Sequence, residues 1–267
     1  MRAYVINLAR SVDRRAHITA ELKKTGLDYE ILTAVDGREV DLSDRTIIDP
    51  ALTYVTQFLP GTAGAALSHL SAYRKIVADG LDKALVLEDD VTLPADLASL
   101  ADAVAEQLTG AEVALLSYGS WGSCKLSPEG SVQLPSSRLL ALPIEIRLVN
   151  SGGAYVITRE ACERMIKCIL PARVNPDDWW YFYREGALDR VRCVMPLPVL
   201  KTPKLASTLG SYSLGNSVKG RLAWSLVSLK IPIVHQALGY RRQRIYHRWS
   251  QQELVDIPFI EKPSRLD

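Results

Sequence analysis

Three consecutive carboxylates, Glu88, Asp89 and Asp90, follow directly after an apolar run at residues 84–87. A continuous run of this kind is typical of a strand buried on both faces of a parallel sheet. Acids that follow such a strand lie at its carboxyl end, where open α/β sheets bind ligands. Because adjacent carboxylates repel one another, a divalent cation or hydrogen-bond donors must neutralise them. The pattern predicts an oxygen-ligand site for Mg²⁺ or Mn²⁺, and a solvated acidic turn is the alternative.

A second pair of carboxylates, Asp177 and Asp178, is followed by two tryptophans and two tyrosines at residues 179–183. The preceding Asn175 and Pro176 make this an ordinary helix start, since Asn suits the N-cap and Pro the first helical position. Aromatic rings beside carboxylates also suit a sugar site, because the rings stack on pyranose faces while the carboxylates accept hydroxyl hydrogen bonds. The local sequence leaves both interpretations open.

Ligand-type side chains also follow the first two predicted strands. Arg10 and Arg14 belong to a basic loop after the strand at residues 4–8, and the planar donors of arginine suit a diphosphate. Asp36 and Gly37 follow the second strand, where an acid is well placed to bind ribose hydroxyls, as in dinucleotide-binding folds. A solvated basic turn and a plain Asp-Gly turn are the alternatives.

Ser68 and His69 lie on a predicted helix that starts with small residues at 61–66 and ends at Gly80. Small residues at the start allow the backbone to approach a ligand or another element closely. On helical spacing both side chains fall beside the apolar stripe. A histidine held in the core or behind the site is favoured over one that acts directly in chemistry.

The composition is that of a globular α/β protein with 267 residues, of which 48% are hydrophobic and 23% charged. This length suits one large domain or a domain with an extension. The four cysteines form no CxxC pair and no Cys/His zinc spacing, so reduced thiols in a cytosolic protein are expected. The first apolar run is too short for a signal peptide, and no stretch of about 20 apolar residues is free of charge or proline.

Positive charge is concentrated between residues 201 and 250, which hold nine Lys or Arg residues and no Asp or Glu. The mostly apolar stretch at 222–238 has a basic flank and resembles an interfacial amphipathic segment, which favours an anionic membrane surface. A packed terminal helix with a solvated basic face is the alternative. Nucleic acid is not predicted as a partner, because no recognised binding motif accompanies the charge.

Taken in order, these motifs resemble glycosyltransferase family 25, the lipooligosaccharide biosynthesis galactosyltransferase group that includes collagen galactosyltransferase domains. The resembling stretches are residues 4–8, 10–15, 34–37, 64–70, 84–91, 153–159 and 176–178. The resemblance implies an α/β fold of the nucleotide-diphospho-sugar transferase (GT-A) type, with a Rossmann-like, mostly parallel sheet and helices on both faces. This catalytic domain would span residues 1–200, followed by a basic, partly helical extension over 201–267.

The resemblance also implies a metal-dependent, inverting glycosyltransferase that moves a hexose, with galactose favoured, from a UDP-sugar to a lipooligosaccharide, lipopolysaccharide or other glycan acceptor. The acidic tripeptide then matches a DxD-type motif, in which Asp90 and secondarily Glu88 hold Mn²⁺ or Mg²⁺ against the donor diphosphate. Asp89 would contact the ribose or the donor sugar. The family's Pro-x-Asp pattern makes Asp178 the first candidate for the catalytic base and Asp177 the second.

The implied donor-binding residues come from all of these motifs: Asn7, Leu8, Arg10, Arg14, Asp36, Gly37, Ser68, His69, Glu88, Asp89, Asn150 and Ser151. The chain departs from the family where the Ser68 helix starts without a Gly-Glu pair and where the aromatic run is unusually dense. Those departures leave the acidic motifs intact but bear on which acceptor and which donor sugar the protein uses. The basic segment fits an enzyme that meets a glycolipid acceptor at an anionic membrane, so the expected location is cytoplasmic, peripheral at the inner face of a bacterial inner membrane.

Two other functions compete with this interpretation. A sugar nucleotidyltransferase shares the fold type and the metal-binding acids, but its phosphate loop is usually glycine-rich, and residues 10–15 contain no glycine. A non-catalytic carbohydrate- or membrane-binding domain has no need of an acid cluster suited to a metal. The transferase interpretation is therefore preferred.

Overall fold

The sequence folds as a series of apolar strands and amphipathic helices, and the computed structural model describes residues 1–49, 60–119, 123–202 and 250–256. The strands are β1 (Arg2–Asn7), β2 (Asp28–Thr33), β3 (Lys83–Glu88), β4 (Val91–Thr92), β5 (Glu112–Gly119), β6 (Cys124–Leu134), β7 (Arg138–Pro143), β8 (Asn150–Thr158), β9 (Arg190–Met195), β10 (Leu200–Lys201) and β11 (Gln252–Leu254). The helices are α1 (Val12–Lys23), α2 (Pro60–Ala78), α3 (Leu97–Glu106), α4 (Arg159–Cys168) and α5 (Trp179–Arg184). The predicted α/β class is confirmed.

Within the described ranges, nine strands form one sheet in the order β11-β6-β7-β9-β5-β8-β3-β1-β2. The pairings give seven of them a common direction, while β7 and β8 run the opposite way. The sheet is therefore mostly parallel in strand direction, as expected. The sequence pattern did not indicate that β8 is inserted antiparallel between β3 and β5.

The continuous apolar run of β3 is explained by burial on both faces of the sheet. Ala84 and Val86 belong to the core on one face, together with residues of α2, α4 and α5. Leu85 and Leu87 belong to the core on the other face, with residues of α1 and α3. All four side chains are fully buried. The prediction of a doubly covered strand before the acidic tripeptide is confirmed.

Small residues let the start of α2 pack directly against the backbone that follows β2. A Cβ atom added to Gly64 would lie 2.7 Å from Gly37 N and from Val35 O, and one added to Gly37 would collide with Pro60 O. Ser68 Oγ accepts a hydrogen bond from Val35 N at 2.8 Å and donates to Gly64 O at 2.6 Å. The predicted close approach is thus made to another element of the protein.

Two short strands, β10 and β11, pair the last described residues of the chain with earlier strands. β10 pairs antiparallel with β4, with Lys201 in register with Val91, and β11 pairs in parallel with β6 at the edge of the sheet. The predicted domain boundary after residue 200 therefore falls inside β10. Most of the basic segment, residues 203–249, lies outside the described residues, and so does its predicted membrane contact. The helices that the structure describes include none long and apolar enough to cross a membrane.

Gly64→Ala tests the close packing of α2. Alanine improves helix propensity by about 1 kcal/mol, but its Cβ would press on backbone atoms that cannot rotate away. Overpacking of this kind costs about 1–3 kcal/mol. We expect a net loss in the free energy of unfolding, measured by urea denaturation. Ser71→Ala, at an exposed position of the same helix, is the control and should change stability by less than about 0.5 kcal/mol. A Gly64→Ala protein as stable as the parent would contradict this packing.

Candidate functional site

The carboxyl ends of β1, β3 and β5 meet the amino end of β8 at one edge of the sheet. Ile6 is in register with Glu88 across β1 and β3, and Gly119 is in register with Asn150 across β5 and β8. Because β8 runs against its two neighbours, its first residues lie beside their last ones. This arrangement brings Asn7, Glu88 and the start of β8 to the edge where α/β sheets bind ligands.

The acidic tripeptide forms the end of β3 and the turn into β4. Asp89 and Asp90 are buried, with 4% and 8% of their surface exposed, and Glu88 is half-buried. A solvated turn would leave these carboxylates in water, so that alternative is wrong. Carboxylates buried together need positive charge or hydrogen-bond donors nearby.

Arg14, in the first turn of α1, supplies part of that charge. Its guanidinium donates to Asp89 Oδ1 at 2.7 Å and to Asp90 Oδ2 at 2.5 Å. Asn7 Nδ2 donates to Asp89 Oδ2 at 2.7 Å. Two predicted donor-binding residues therefore meet the acidic turn, and the solvated-loop alternative fails for Arg14.

Lys201 supplies the second positive charge, although the sequence motifs did not single it out. Its Nζ donates to Glu88 Oε2 at 2.8 Å and lies 3.8 Å from Asp90 Oδ1. The neighbouring Thr202 fixes this segment, because its N–H donates to Asp90 O at 2.7 Å and its hydroxyl meets Thr92 Oγ1 at 2.9 Å. One signal was available: Lys201 is the first residue after the predicted catalytic domain, residues 1–200.

The ionisation of the cluster depends on burial and on these cations. Burial raises the pKa of Asp89 to about 6, although Arg14 and Asn7 oppose the shift. Burial acts in the same direction on Glu88, but Lys201 and His69 together hold its pKa well below the usual range. The pKa of Lys201 is raised against the effect of burial, because Glu88 and Asp90 face its ammonium. Glu88 and Lys201 thus form a stable ion pair at neutral pH.

The predicted metal ligands, Asp90 and Glu88, are both engaged by cationic side chains. Among the described residues, no group of three or more His, Cys, Asp or Glu side chains is arranged to hold a metal ion. The buried oxygens near the turn without a hydrogen bond are Asn7 Oδ1 and Asp90 Oδ1. One or two protein carboxylates suffice for Mg²⁺ when phosphate and water complete its shell. Here, however, Asp90 is paired with Arg14 and Glu88 with Lys201, so a bound cation would meet two positive charges. With both ion pairs in place, the acidic turn does not fit a bound divalent cation. The dependence of activity on Mn²⁺ or Mg²⁺ stays a prediction.

His69 lies behind the acidic cluster in a buried network. Its Nδ1 lies 2.8 Å from Tyr155 Oη, which donates to Tyr73 Oη at 3.1 Å, and its Nε2 is 3.9 Å from Glu88 Oε1. A Cβ added to Gly152 would lie 3.2 Å from both Glu88 Oε1 and the His69 ring. His69 therefore supports Glu88 from within the core, while Gly152 leaves room for both side chains.

The predicted ribose-binding residue, Asp36, is held by two arginines. It accepts from Arg10 Nε at 2.7 Å and from Arg38 Nη2 at 2.6 Å, and its carboxylate caps the short 3-10 turn at Gly37–Glu39. The hydrogen bonds from Arg38 and Arg10 hold the pKa of Asp36 well below its usual range. Arg10 thus contacts Asp36, whereas the acidic turn is contacted by Arg14. Leu8 helps to shape this loop by accepting a hydrogen bond from Ser11 N at 2.8 Å.

The two candidate bases occupy different positions at the start of α5. Asp178 is the N-cap, and its Oδ1 accepts from Tyr181 N at 3.1 Å. Asp177 Oδ2 accepts from Ser151 N at 3.1 Å, which ties it to the start of β8. Burial and the nearby charge of Glu88 raise the pKa of Asp177. Asp177 therefore faces the acidic cluster, and Asp178 performs the structural role expected of a helix start.

The dense aromatic run is mostly core. Trp179, Tyr181 and Tyr183 are at most 8% exposed, and the Trp179 indole donates to Ser151 O at 3.3 Å. Trp180 remains half-exposed, with the Arg147 guanidinium 5.7 Å from its ring centroid. The interpretation of the whole run as a sugar site is wrong, and within residues 179–183 only Trp180 is partly exposed.

Ser151 adopts a backbone conformation that is uncommon for a residue with a side chain. Its φ is 107°, its N–H contacts Asp177 and its hydroxyl accepts from Gly153 N at 3.2 Å. Strained residues of this kind persist where surrounding contacts fix them and are concentrated at functional sites. The predicted donor-binding residues Asn150 and Ser151 thus lie where β8, the acidic turn and α5 meet.

Comparisons with known proteins agree with this assembly of motifs. The model of a family described as "Glycosyltransferase family 25 (LPS biosynthesis protein)" matches residues 1–180. A "Glycosyltransferase 25 family member" of Aedes aegypti is 38% identical over 101 residues, covering 33% of this chain and 16% of that protein. "Procollagen galactosyltransferase 2" of Homo sapiens is 32% identical over 95 residues, covering 33% and 15%.

Relatives named as inactive also match this chain. An "Inactive glycosyltransferase 25 family member 3" of Mus musculus is 34% identical over 95 residues, covering 33% of this chain and 16% of that protein. The match thus spans about a sixth of the length of these relatives. A solved glycosyltransferase involved in the glycosylation of the major capsid of PBCV-1 has a TM-score of 0.34 and 9% identity, covering 72% of this chain and 80% of that one. A similarity of that size supports no conclusion about the site.

Replacing Asp178 tests its role as a helix cap. Asp178→Ala removes the acceptor for Tyr181 N, and loss of an N-cap costs about 1 kcal/mol. We expect a lower unfolding free energy for Asp178→Ala and near-parental stability for Asp178→Asn, since asparagine caps equally well. Thermal and urea denaturation measure both variants. Equal stability of the alanine and asparagine proteins would show that the cap contributes nothing.

Proposed function

Because the chain belongs to glycosyltransferase family 25, we propose that it transfers a hexose, with galactose favoured, from a UDP-sugar to a glycan or glycolipid acceptor. One observation carries the proposal: the edge of the sheet joins a charge-compensated acidic turn, Glu88–Asp90, to the half-buried carboxylate of Asp177. The α/β sheet with its acids at the carboxyl edge supports a fold of the nucleotide-diphospho-sugar transferase (GT-A) type.

The donor side of the reaction is assigned to the acidic turn and its partners. A UDP leaving group develops negative charge as the bond to the sugar breaks, and fixed positive charge lowers the energy of that state. Arg14 and Lys201 are the cations that contact the turn. Asp89, which the sequence resemblance assigned to the ribose or the donor sugar, accepts a hydrogen bond from Asn7 Nδ2, and we assign both residues to the donor side.

We assign the catalytic base to Asp177 in preference to Asp178. Inversion requires a base that removes the proton of the acceptor hydroxyl while its oxygen attacks the anomeric carbon from the face opposite UDP. The electron pair of the breaking carbon–oxygen bond leaves with UDP. A carboxylate with a raised pKa suits this role, because its affinity for protons is closer to that needed at neutral pH. Each aspartate accepts one backbone hydrogen bond, Asp177 from Ser151 and Asp178 from Tyr181. The preference therefore depends on the raised pKa of Asp177 and on the nearby charge of Glu88.

The acceptor side is assigned to the surface next to Asp177. The half-exposed Trp180 offers a ring on which an acceptor sugar can stack. A lipooligosaccharide or lipopolysaccharide acceptor would bring the protein to an anionic membrane, and residues 201–250 carry the positive charge suited to such a contact. A cytoplasmic location, peripheral at the inner face of a bacterial inner membrane, forms part of this proposal.

Release of UDP tests the proposed function. The purified protein is incubated with UDP-galactose, UDP-glucose and UDP-N-acetylglucosamine, with and without a lipooligosaccharide acceptor, in EDTA and in Mn²⁺. We expect UDP release with at least one donor, fastest with UDP-galactose, and stimulation by the acceptor. A folded protein that neither binds UDP nor releases it from any donor in either condition would refute the transferase proposal.

Isosteric amides separate the roles of the two aspartates. Asp177→Asn keeps an acceptor for Ser151 N but removes the base, so kcat should fall by about 10²–10⁴-fold with UDP affinity unchanged. Asp178→Asn keeps the cap and should retain most activity. The opposite result, with activity lost only in Asp178→Asn, would assign the base to Asp178.

The pH profile provides an independent test of the base. Asp177 has a raised pKa, so it keeps its proton up to a higher pH than an ordinary aspartate and is inactive as a base below that point. We expect kcat/KM to fall on the acid side at a pH above about 4, the usual range of an aspartate. A profile that stays flat down to about pH 4 would show that a group with an unshifted pKa acts instead.

A further inference from the structure

We propose that the ammonium of Lys201 takes the place of a divalent cation in this site and stabilises the departing diphosphate, so that donor binding and transfer proceed without a metal. The inference rests on the proposed function, since it assigns a role within the same reaction. It concerns a residue that lies beyond the residues matched by the family model, 1–180.

The position of the Lys201 ammonium is the first observation. Nζ lies 2.8 Å from Glu88 Oε2 and 3.8 Å from Asp90 Oδ1. These are the two carboxylates that the sequence motif assigns to a metal. A single positive charge therefore lies near both carboxylates. This is the position that a divalent cation would need in order to bind Glu88 and Asp90 together.

The second observation is that the lysine is fixed in this position. Pairing of β10 with β4 sets its backbone, with Lys201 in register with Val91, and Val199 N donates to Leu116 O at 3.1 Å on the preceding side. Gly153 lies so close that an added Cβ would approach Lys201 Cε to 3.3 Å. A lysine held in this way loses little further entropy when it binds a phosphate, which favours a preorganised role.

Charge balance is the third observation. Arg14 forms ion pairs with both Asp89 and Asp90, and Lys201 forms one with Glu88. Three carboxylates and two cations leave the cluster with at most one net negative charge. A cluster so nearly balanced attracts a divalent cation weakly, because each added positive charge also meets Arg14 and Lys201.

The lysine remains accessible to a donor. Its side chain keeps 27% of its surface exposed, so one side of the ammonium can meet a phosphate oxygen while the other contacts Glu88. Lysine is a common phosphate ligand that acts as a point charge. As the carbon–oxygen bond of the donor breaks, its electron pair passes to the β-phosphate of UDP, and the Lys201 ammonium stabilises the charge that develops there. The proton of the acceptor hydroxyl passes to Asp177.

Metal removal and a lysine variant test the inference together. We expect the EDTA-treated full-length protein to bind UDP in calorimetry and to keep at least half of its UDP-releasing activity, with no increase in UDP affinity on adding Mn²⁺. Lys201→Met should weaken UDP binding by more than tenfold and lower kcat by about 10²-fold or more, the size expected for one lost charge-stabilising group. Lys201→Arg, which keeps the charge, should lose less of both.

Lys167→Met, at an exposed position on α4, is the matched control and should behave as the parent does. Circular dichroism and thermal denaturation confirm that each variant is folded. UDP binding and activity that appear only with Mn²⁺ or Mg²⁺, or a Lys201→Met protein that binds UDP as tightly as the parent does, would overturn the inference while leaving the transferase function in place. UDP binding decides the role of Lys201 even when none of the sugar donors turns over, so failure of the proposed function gives a different result.

Discussion

The structure depends on the neutralisation of carboxylates that are buried where β3 ends. Asp89 and Asp90 could not be withdrawn from water together unless positive charge were brought to them. Arg14 from α1 and Lys201 from β10 bring it, and they join elements that are far apart in the chain. Electrostatic compensation thus couples helix α1, the end of strand β3 and strand β10. Loss of either cation would leave an unpaired buried charge, which is costly wherever it occurs.

The direction of β8 decides which residues share the site with those acids. An all-parallel sheet would place the segment 150–153 at the opposite edge, away from Glu88. Antiparallel insertion between β3 and β5 brings Ser151 to the acidic edge, and its backbone in turn positions Asp177. The position of Asp177 beside the acidic turn therefore depends on one reversed strand and on the short helix α5 that packs against its start.

Patterns of neighbouring residues predicted the features that depend on residues close together in the chain. The apolar run before Glu88 required burial on both faces, and the small residues near Gly64 required close packing; both were found. The family pattern ranked Asp178 above Asp177, but the sequence could not show which neighbour each carboxylate meets in space. Lys201 escaped detection for a similar reason: its partner Glu88 lies 113 positions away, and ion pairs at that separation leave no periodicity. The burial of Trp179 likewise depended on tertiary packing against Tyr155.

The acidic motif and the lysine that compensates it lie on different parts of the chain, and this has an evolutionary consequence. Glu88–Asp90 lies inside the residues matched by the family model, whereas Lys201 lies beyond them. During evolution the lysine that compensates the acids can therefore be replaced while the acidic motif Glu88–Asp90 is kept. Relatives that share the same three acids can differ in what neutralises them, so the motif alone does not establish which cofactor, if any, a family member requires.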